Sequence, residues 1–145
     1  MSDEVQAQVL LVDDEEKFLD LLSQRLTMHG VQADTATSGE DALEKIRHVN
    51  YDAVVLDLVM PGIGGIETVK RLRSENPDMQ IIMLSGQATI EKTVQALKEG
   101  AMDFIEKPAD VDTLLAKIGE AKHKNMLLAL KNVEEKVKGG LRRRL

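Results

Sequence analysis

The sequence has no cysteine and no tryptophan. A chain without thiols has no disulfide framework, no thiolate metal site and no cysteine nucleophile. Aromatic residues are nearly absent too: Phe18, Tyr51 and Phe104 are all there are, so aliphatic side chains must fill the core. No apolar stretch approaches the ~20 residues needed to span a bilayer. The opening Met1-Ser2-Asp3-Glu4 is acidic and does not lead into a long apolar run, so no secretory signal is visible. Together these absences fit a cytoplasmic protein with no membrane partner.

What is present is ordinary in amount and uneven in placement. The 145 residues are 43% hydrophobic and 30% charged, the size and balance of one soluble domain. Residues 1–121 carry 11 Lys/Arg against 23 Asp/Glu, whereas residues 122–145 carry 8 against 2. The acidic body argues against nucleic acid as the main ligand and suits metal cations.

Short β-branched runs alternate with helical periodicity. Strands are expected at about Gln8–Val12, Gln32–Ala36, Ala53–Leu56, Gln80–Leu84 and Phe104–Glu106. Between them, Phe18, Leu21, Leu22 and Leu26 recur at helical spacing up to Gly30, and Ser38-Gly39-Glu40-Asp41 resembles a capping box ahead of inward Leu43 and Ile46. The glycine-rich Gly62-Ile63-Gly64-Gly65 leads into a helix over 66–75 that stops before Pro77. A fourth helix carries Ile90, Val94 and Leu97 and ends at Gly100, and Asp110 can cap a fifth with Leu114, Leu115 and Ile118. Alternation of this kind predicts an α/β fold, a doubly wound five-stranded parallel sheet with helices on both faces. Ligands of such sheets bind beyond the carboxyl ends of the strands.

The strand ends carry the chemistry. The first closes on Asp13-Asp14, the third on Asp57, the fourth on Ser85 and the fifth on Lys107. Each is unremarkable alone: acidic residues favour helix N-termini, and aspartate and serine favour turns. At matching strand ends they make a set. Three carboxylates at one edge repel one another and call for a proton or a cation. Their hard oxygens favour Mg²⁺. Lys107 and Ser85 would clamp a transferring phosphoryl group, and a carboxylate not consumed by the metal would be its nucleophile.

With these motifs in view, the chain resembles the receiver domain of bacterial two-component response regulators over roughly residues 7–122. The residues that carry the resemblance are Leu11-Val12-Asp13-Asp14-Glu15, Leu56-Asp57-Leu58-Val59-Met60-Pro61-Gly62, Leu84-Ser85-Gly86 and Lys107-Pro108. The resemblance implies a flavodoxin-like sheet in the order 2-1-3-4-5. It implies that Asp57 accepts phosphate from a sensor histidine kinase or a phosphotransfer protein. Mg²⁺ would be bound by Asp14, Asp57 and the carbonyl of Val59, with Asp13 acting largely through water. Ser85 and Lys107 would grip the phosphoryl oxygens, the bond before Pro108 would be cis, and Ser85 and Phe104 would be the moving parts of a switch. Phe104 stands where tyrosine is more common and fits a plain core role equally well. Gly64 stands where an acidic residue is frequent.

Such a protein is a signalling phosphoacceptor, not an enzyme acting on a separate substrate. Two other classes were open. A Mg²⁺-dependent aspartyl-phosphate phosphohydrolase usually needs a second carboxylate two residues after its nucleophile, where this chain has Val59. A flavin-binding module needs hydroxyls and glycine after the first strand, where Asp13-Asp14-Glu15-Glu16 would repel a phosphate.

Beyond the receiver, residues 123–145 read as an extended helix and basic tail. Met126, Leu130, Val133 and Val137 form an a/d-like stripe that suits a homodimer, and the surface of helix four, strand five and helix five is the other candidate. A solvated helix, or one folded back on its own domain, is equally open. Gly139-Gly140 is expected to end the helix, and the Arg142-Arg143-Arg144 segment to fray. The style of Leu84-Ser85-Gly86-Gln87-Ala88-Thr89 resembles receivers of nitrogen-regulation-type transcription activators, so a receiver fragment of a larger activator is the alternative to a stand-alone regulator. Val59 and Gln87 flank the site where many relatives place polar groups that assist water. A valine cannot orient an attacking water, so the phosphoryl group should persist. Val59→Asn is expected to accelerate dephosphorylation, read as the decay of label after the donor is removed.

Overall fold

The computed structural model describes residues 6–86 and 89–144. Ten elements alternate along the chain: β1 (Ala7–Val12), α1 (Glu16–Thr27), β2 (Val31–Ala36), α2 (Gly39–Ile46), β3 (Ala53–Leu56), α3 (Gly64–Glu75), β4 (Ile81–Ser85), α4 (Ile90–Lys98), β5 (Asp103–Glu106) and α5 (Val111–Arg144). All strand pairs are parallel, and the sheet order is β2-β1-β3-β4-β5. This is the expected topology, with strand limits within about a residue of those read from the apolar runs. Among the described residues no helix is long and apolar enough to cross a membrane.

The central runs of β3 and β4 are buried throughout because both faces of the sheet are covered there. Leu10, Val12, Val54, Leu56, Ile81 and Met83 face one way and pack with Leu43 of α2, Val69 and Leu72 of α3, and Ala96 of α4. Val9, Leu11, Val55, Ile82 and Leu84 face the other way, against Leu19, Leu22 and Leu26 of α1 and Leu114, Leu115 and Ile118 of α5. The inward stripe of α1 is therefore Leu19-Leu22-Leu26. Leu21, expected within it, points outward and is 50% exposed. Both stripes obey helical spacing, and the angle at which the helix meets the sheet selects between them.

Local signals act much as expected. The Ser38 hydroxyl accepts the Asp41 amide at 3.1 Å and caps α2. Asn76, ahead of Pro77, is extended and ends α3. At the start of α5 the expected Asp110 cap differs: its carboxylate accepts the Thr113 hydroxyl at 3.4 Å in place of a backbone amide, and its carbonyl accepts the Leu114 amide at 3.1 Å. Thr89 supplies a cap not foreseen, its hydroxyl accepting the Lys92 amide at 3.2 Å.

On the helices, one apolar stripe lies outside the core and one expected stop fails. The α4 stripe is not core: Ile90 is 86% exposed, and Val94 and Leu97 are 44% exposed, while Ala96 turns to the sheet. A small residue on the contact face lets α4 lie close and leaves its apolar side outside. Gly139-Gly140 does not end α5, which runs through both glycines to Arg144. A glycine in a helix interior costs about 1 kcal/mol relative to alanine, which weakens a helix without forbidding it. A C-terminal glycine cap needs positive φ, adopted among the described residues by Gly30, Gly62, Gly64 and Gly100 but not by Gly139. The last α5 residue buried against the sheet is Ala121; beyond it Met126, Leu130, Val133 and Val137 are each more than half exposed.

The loop after β3 is built on close approach. Gly62 and Gly64 have φ of +82° and +74°, so the glycine at 64 answers a backbone requirement. At Gly65 a Cβ would lie 2.5 Å from the Leu58 carbonyl oxygen and 2.6 Å from that of Asp57. Gly65→Ala must therefore displace backbone next to Asp57 and is expected to lower unfolding free energy by about 1–3 kcal/mol. Gly119→Ala, in a helical position with nothing within 4 Å, should raise it by up to ~1 kcal/mol. Urea titration of both variants checks the contrast.

Candidate functional site

The parallel register brings the four polar strand ends to one edge. Val12 pairs with Ala36 and Leu56, Leu56 with Met83, and Ser85 with Glu106. Backbone bonding continues past the strands. The amides of Asp13 and Asp57 donate to Ala36 and Val12 carbonyls at 3.1 and 2.9 Å, and the Lys107 amide to that of Ser85 at 2.9 Å. Asp57 thus sits beside Asp13, and Lys107 beside Ser85, by ladder geometry. On either side of Asp57's successor loop, Leu58 and Met60 are buried in the α2–α3–α4 core and anchor it.

One carboxylate oxygen from each of Asp13, Asp14 and Asp57 lies within 4.8 Å of the others. Asp13 and Asp57 are buried, at 2% and 7% exposure, whereas Asp14 is exposed. Asp13 is held on both oxygens: the Glu15 amide donates to Oδ1 at 2.9 Å, and Lys107 Nζ donates to Oδ2 at 2.7 Å. Lys107 Nζ also stands 4.0 Å above the centre of the Phe18 ring. The Lys107–Pro108 peptide bond is cis.

Asp57 is less well supplied. Its Oδ1 receives the Val59 amide only at a long 3.5 Å, and Ser85 hydrogen-bonds its carboxylate. Burial pushes the Asp57 carboxyl above its ordinary range; the Ser85 bond opposes this, the Asp13 charge adds to it, and Lys107 and the Val59 amide oppose it. The balance is an anion short of positive charge, facing a cleft of about 340 Å³ bounded by Asp14, Asp57, Val59, Ser85 and Lys107. A donor set made only of carboxylate oxygens, two of them buried, fits a hard divalent cation such as Mg²⁺.

Asp13, Asp14, Asp57, Ser85 and Lys107 therefore converge, with Val59 at the rim, 39% exposed. Phe104 does not join them. Its half-buried side chain packs on the α2–α3–α4 core and borders a separate groove of about 400 Å³ with Thr89, Ile90, Thr93, Val94 and Glu106. Gln87 lies outside the described residues. Sequence reasoning missed two groups. Glu15 serves through its backbone, to which its side chain gives no clue. Phe18 was placed only in the α1 stripe, and no local pattern signals a lysine arriving from the other end of the sheet.

A family profile described as the response regulator receiver domain matches residues 9–119. The chain belongs to the response regulator receiver domain family. Transcriptional regulatory protein ZraR of Klebsiella oxytoca is 36% identical over 116 residues, which cover 80% of this chain and 26% of that protein. A crystal structure of a response regulator receiver domain from Clostridium thermocellum is 29% identical with a TM-score of 0.80, covering 84% of this chain and 98% of that one. A crystal structure of NtrX from Brucella abortus is 30% identical with a TM-score of 0.77, covering 96% of this chain and 31% of that one. The chain spans about a quarter of ZraR and 50% of response regulator ArlR from Staphylococcus aureus. Receiver domains are signalling phosphoacceptors that are phosphorylated by histidine kinases and bind Mg²⁺ at an acidic cluster. The phosphohydrolase and flavin-module readings lose their ground: Val59 stands where the hydrolase needs a carboxylate, and Asp14 and Glu15 line the cleft a flavin phosphate would enter.

The raised carboxyl of Asp57 has a consequence for stability. A folded carboxyl that holds its proton more tightly than the unfolded one contributes stability below its ordinary range. That contribution is lost as pH rises through the folded value. Without a cation, the neutral-pH protein thus bears a buried charge that an amide would not. Asp57→Asn should melt higher than wild type at neutral pH in chelator, with the gap closing on acidification. Thermal melts across a pH series check both sign and trend.

Proposed function

We propose that this receiver is a phosphorylation-dependent switch in which Asp57 is the phosphoacceptor. The supporting observation is the position of the Asp57 carboxylate: buried, poorly neutralised, hydrogen-bonded by Ser85 and open on one side to the cleft. A carboxylate oxygen of Asp57 attacks the phosphorus of a phosphohistidine on a sensor histidine kinase or phosphotransfer protein. The oxygen–phosphorus bond forms, the phosphorus–nitrogen bond breaks, and the imidazole leaves as the electron pair returns to its nitrogen. Phosphoryl transfer depends on positioning and charge stabilisation, and no general base is required. Lys107 and Ser85 take the phosphoryl oxygens.

Asp13, Asp14, Asp57 and the Val59 carbonyl would hold Mg²⁺, which when bound offsets the negative charge gathered at the edge. The chain promotes only its own phosphorylation and dephosphorylation. Asp57→Asn is expected to abolish labelling by acetyl phosphate with Mg²⁺; stable labelling of that variant at the same site would sink the assignment.

Phosphorylation adds charge and acceptor oxygens beside Ser85, so the loop that follows it, α4, β5 and α5 carry the change outward, with Phe104 as the moving side chain. Residues 7–122 form the receiver, and 123–145 an extended helix and basic tail. The partner for the projecting half of α5 is a second copy of the chain. Its exposed stripe Met126-Leu130-Val133-Val137 has coiled-coil spacing, and the likeness to NtrX extends over 96% of the chain. Relatives named as transcriptional regulatory proteins support reading the switch as a response regulator acting upstream of transcription. Size measurement with and without beryllofluoride and Mg²⁺ should give a dimer, and Leu130→Glu with Val133→Glu a monomer that still binds beryllofluoride.

A further inference from the structure

Lys107 reaches the carboxylate cluster across an aromatic face. Its Nζ is 2.7 Å from Asp13 Oδ2 and 4.0 Å from the centre of the Phe18 ring, and its side chain is only 16% exposed. Phe18 lies in the first turn of α1, half-buried, packed on the edge of the core that Leu19, Leu22 and Leu26 fill. Its ring also borders a small cavity under Asp13 and Asp57. As core the position asks only for an apolar side chain, and α1 already has its inward stripe. The ring adds something an aliphatic residue cannot: a negative π face within the ~6 Å over which an ammonium is attracted.

We propose that Phe18 is a positioning residue for Lys107. The ring and the Asp13 carboxylate hold the ammonium between them, so that its charge stands fixed at the wall of the cleft where a phosphoryl group arrives on Asp57. A lysine has a flexible four-carbon stem and a strongly hydrated head, and one ion pair fixes its distance but not its direction. The second contact restricts the stem and keeps water from one side of the head. The same arrangement ties Lys107 to a carboxylate whose other oxygen is already engaged by the Glu15 amide. The proposal rests on the reading of Lys107 as a phosphoryl-gripping group.

The test is a double-mutant cycle on the full chain, read as the rate of labelling by acetyl phosphate with saturating Mg²⁺, together with NMR of the Lys107 side chain. Phe18→Leu keeps apolar bulk and removes the π face. It should slow labelling about threefold to tenfold, the range set by a partly desolvated cation–π contact. Phe18→Tyr should restore the wild-type rate. Lys107→Met should slow labelling more, and Phe18→Leu added to it should do nothing further. In wild type and Phe18→Tyr the Lys107 ε-methylene protons should be displaced upfield by the ring, and in Phe18→Leu they should not.

Equal slowing by Phe18→Leu with and without Lys107 would overturn the proposal, since the ring would then act through packing. So would Lys107 ε-protons without a ring displacement in wild type, a measurement that holds even where Phe18→Leu fails to fold. A Lys107→Met protein labelling at the wild-type rate would remove the role of Lys107 itself and the proposal with it. Slowing by Lys107→Met but not by Phe18→Leu would remove the proposal alone.

Discussion

The repulsion between Asp13 and Asp57 is the constraint around which the structure is arranged. Both carboxylates are buried, within 4.8 Å of each other and of exposed Asp14. Burial is the larger cause of the raised Asp57 carboxyl, and the neighbouring Asp13 charge adds to it. The arrangement is held by two apolar layers that clamp the sheet from both sides and by one cation. Lys107 crosses 94 residues of sequence to meet Asp13 at 2.7 Å. That ion pair is almost wholly buried, so losing either partner would strand a charge in the interior.

Lys107 contacts Asp13 directly and reaches Asp57 only through its field, so the carboxylate that opens on the cleft has no ion pair of its own among the described contacts. Ser85 bonds that carboxylate and also pairs through the backbone with β5. Any group placed on Asp57 therefore meets residues whose backbones belong to β4 and β5. Alongside them lies α4, held to the sheet by Ala96 with its larger apolar side chains outside. A helix attached through so small a face has little packing energy to lose by moving. The polar strand ends and the lightly buried α4 are thus neighbours in the fold.

How much was legible in the chain differs by element. The strand ends were readable because four apolar runs stop abruptly on ionisable or hydroxyl residues, and a parallel sheet must bring those ends to one side. The Ser38 cap and the stop at Pro77 were readable because their causes lie within a few residues. The inward face of α1 was not, since Leu21 and Leu19 both satisfy a helical stripe and only docking on β1 and β3 chooses. The exposure of the α4 stripe was not legible for a related reason: periodicity reports an apolar face and is silent on what covers it. At Gly139-Gly140, glycine was given the meaning of a stop, although its helical cost is too small to impose one.

The family resemblance implied the strand order 2-1-3-4-5; the sequence by itself determined the element order, the doubly wound parallel class of the sheet and the residue types gathered at its carboxyl edge. Those follow from periodicity, crossover handedness and the identity of each strand's last residue, all local or topological. The tertiary structure alone decided the pairings within that edge: Lys107 to Asp13, Ser85 to Asp57, the Phe18 ring under the lysine, and Phe104 turned away to the α4 groove. A long side chain such as Lys107 can reach several acceptors from one backbone position. Which it takes depends on charge, burial and an aromatic face contributed by segments far apart in the chain, and these meet only when the sheet is assembled.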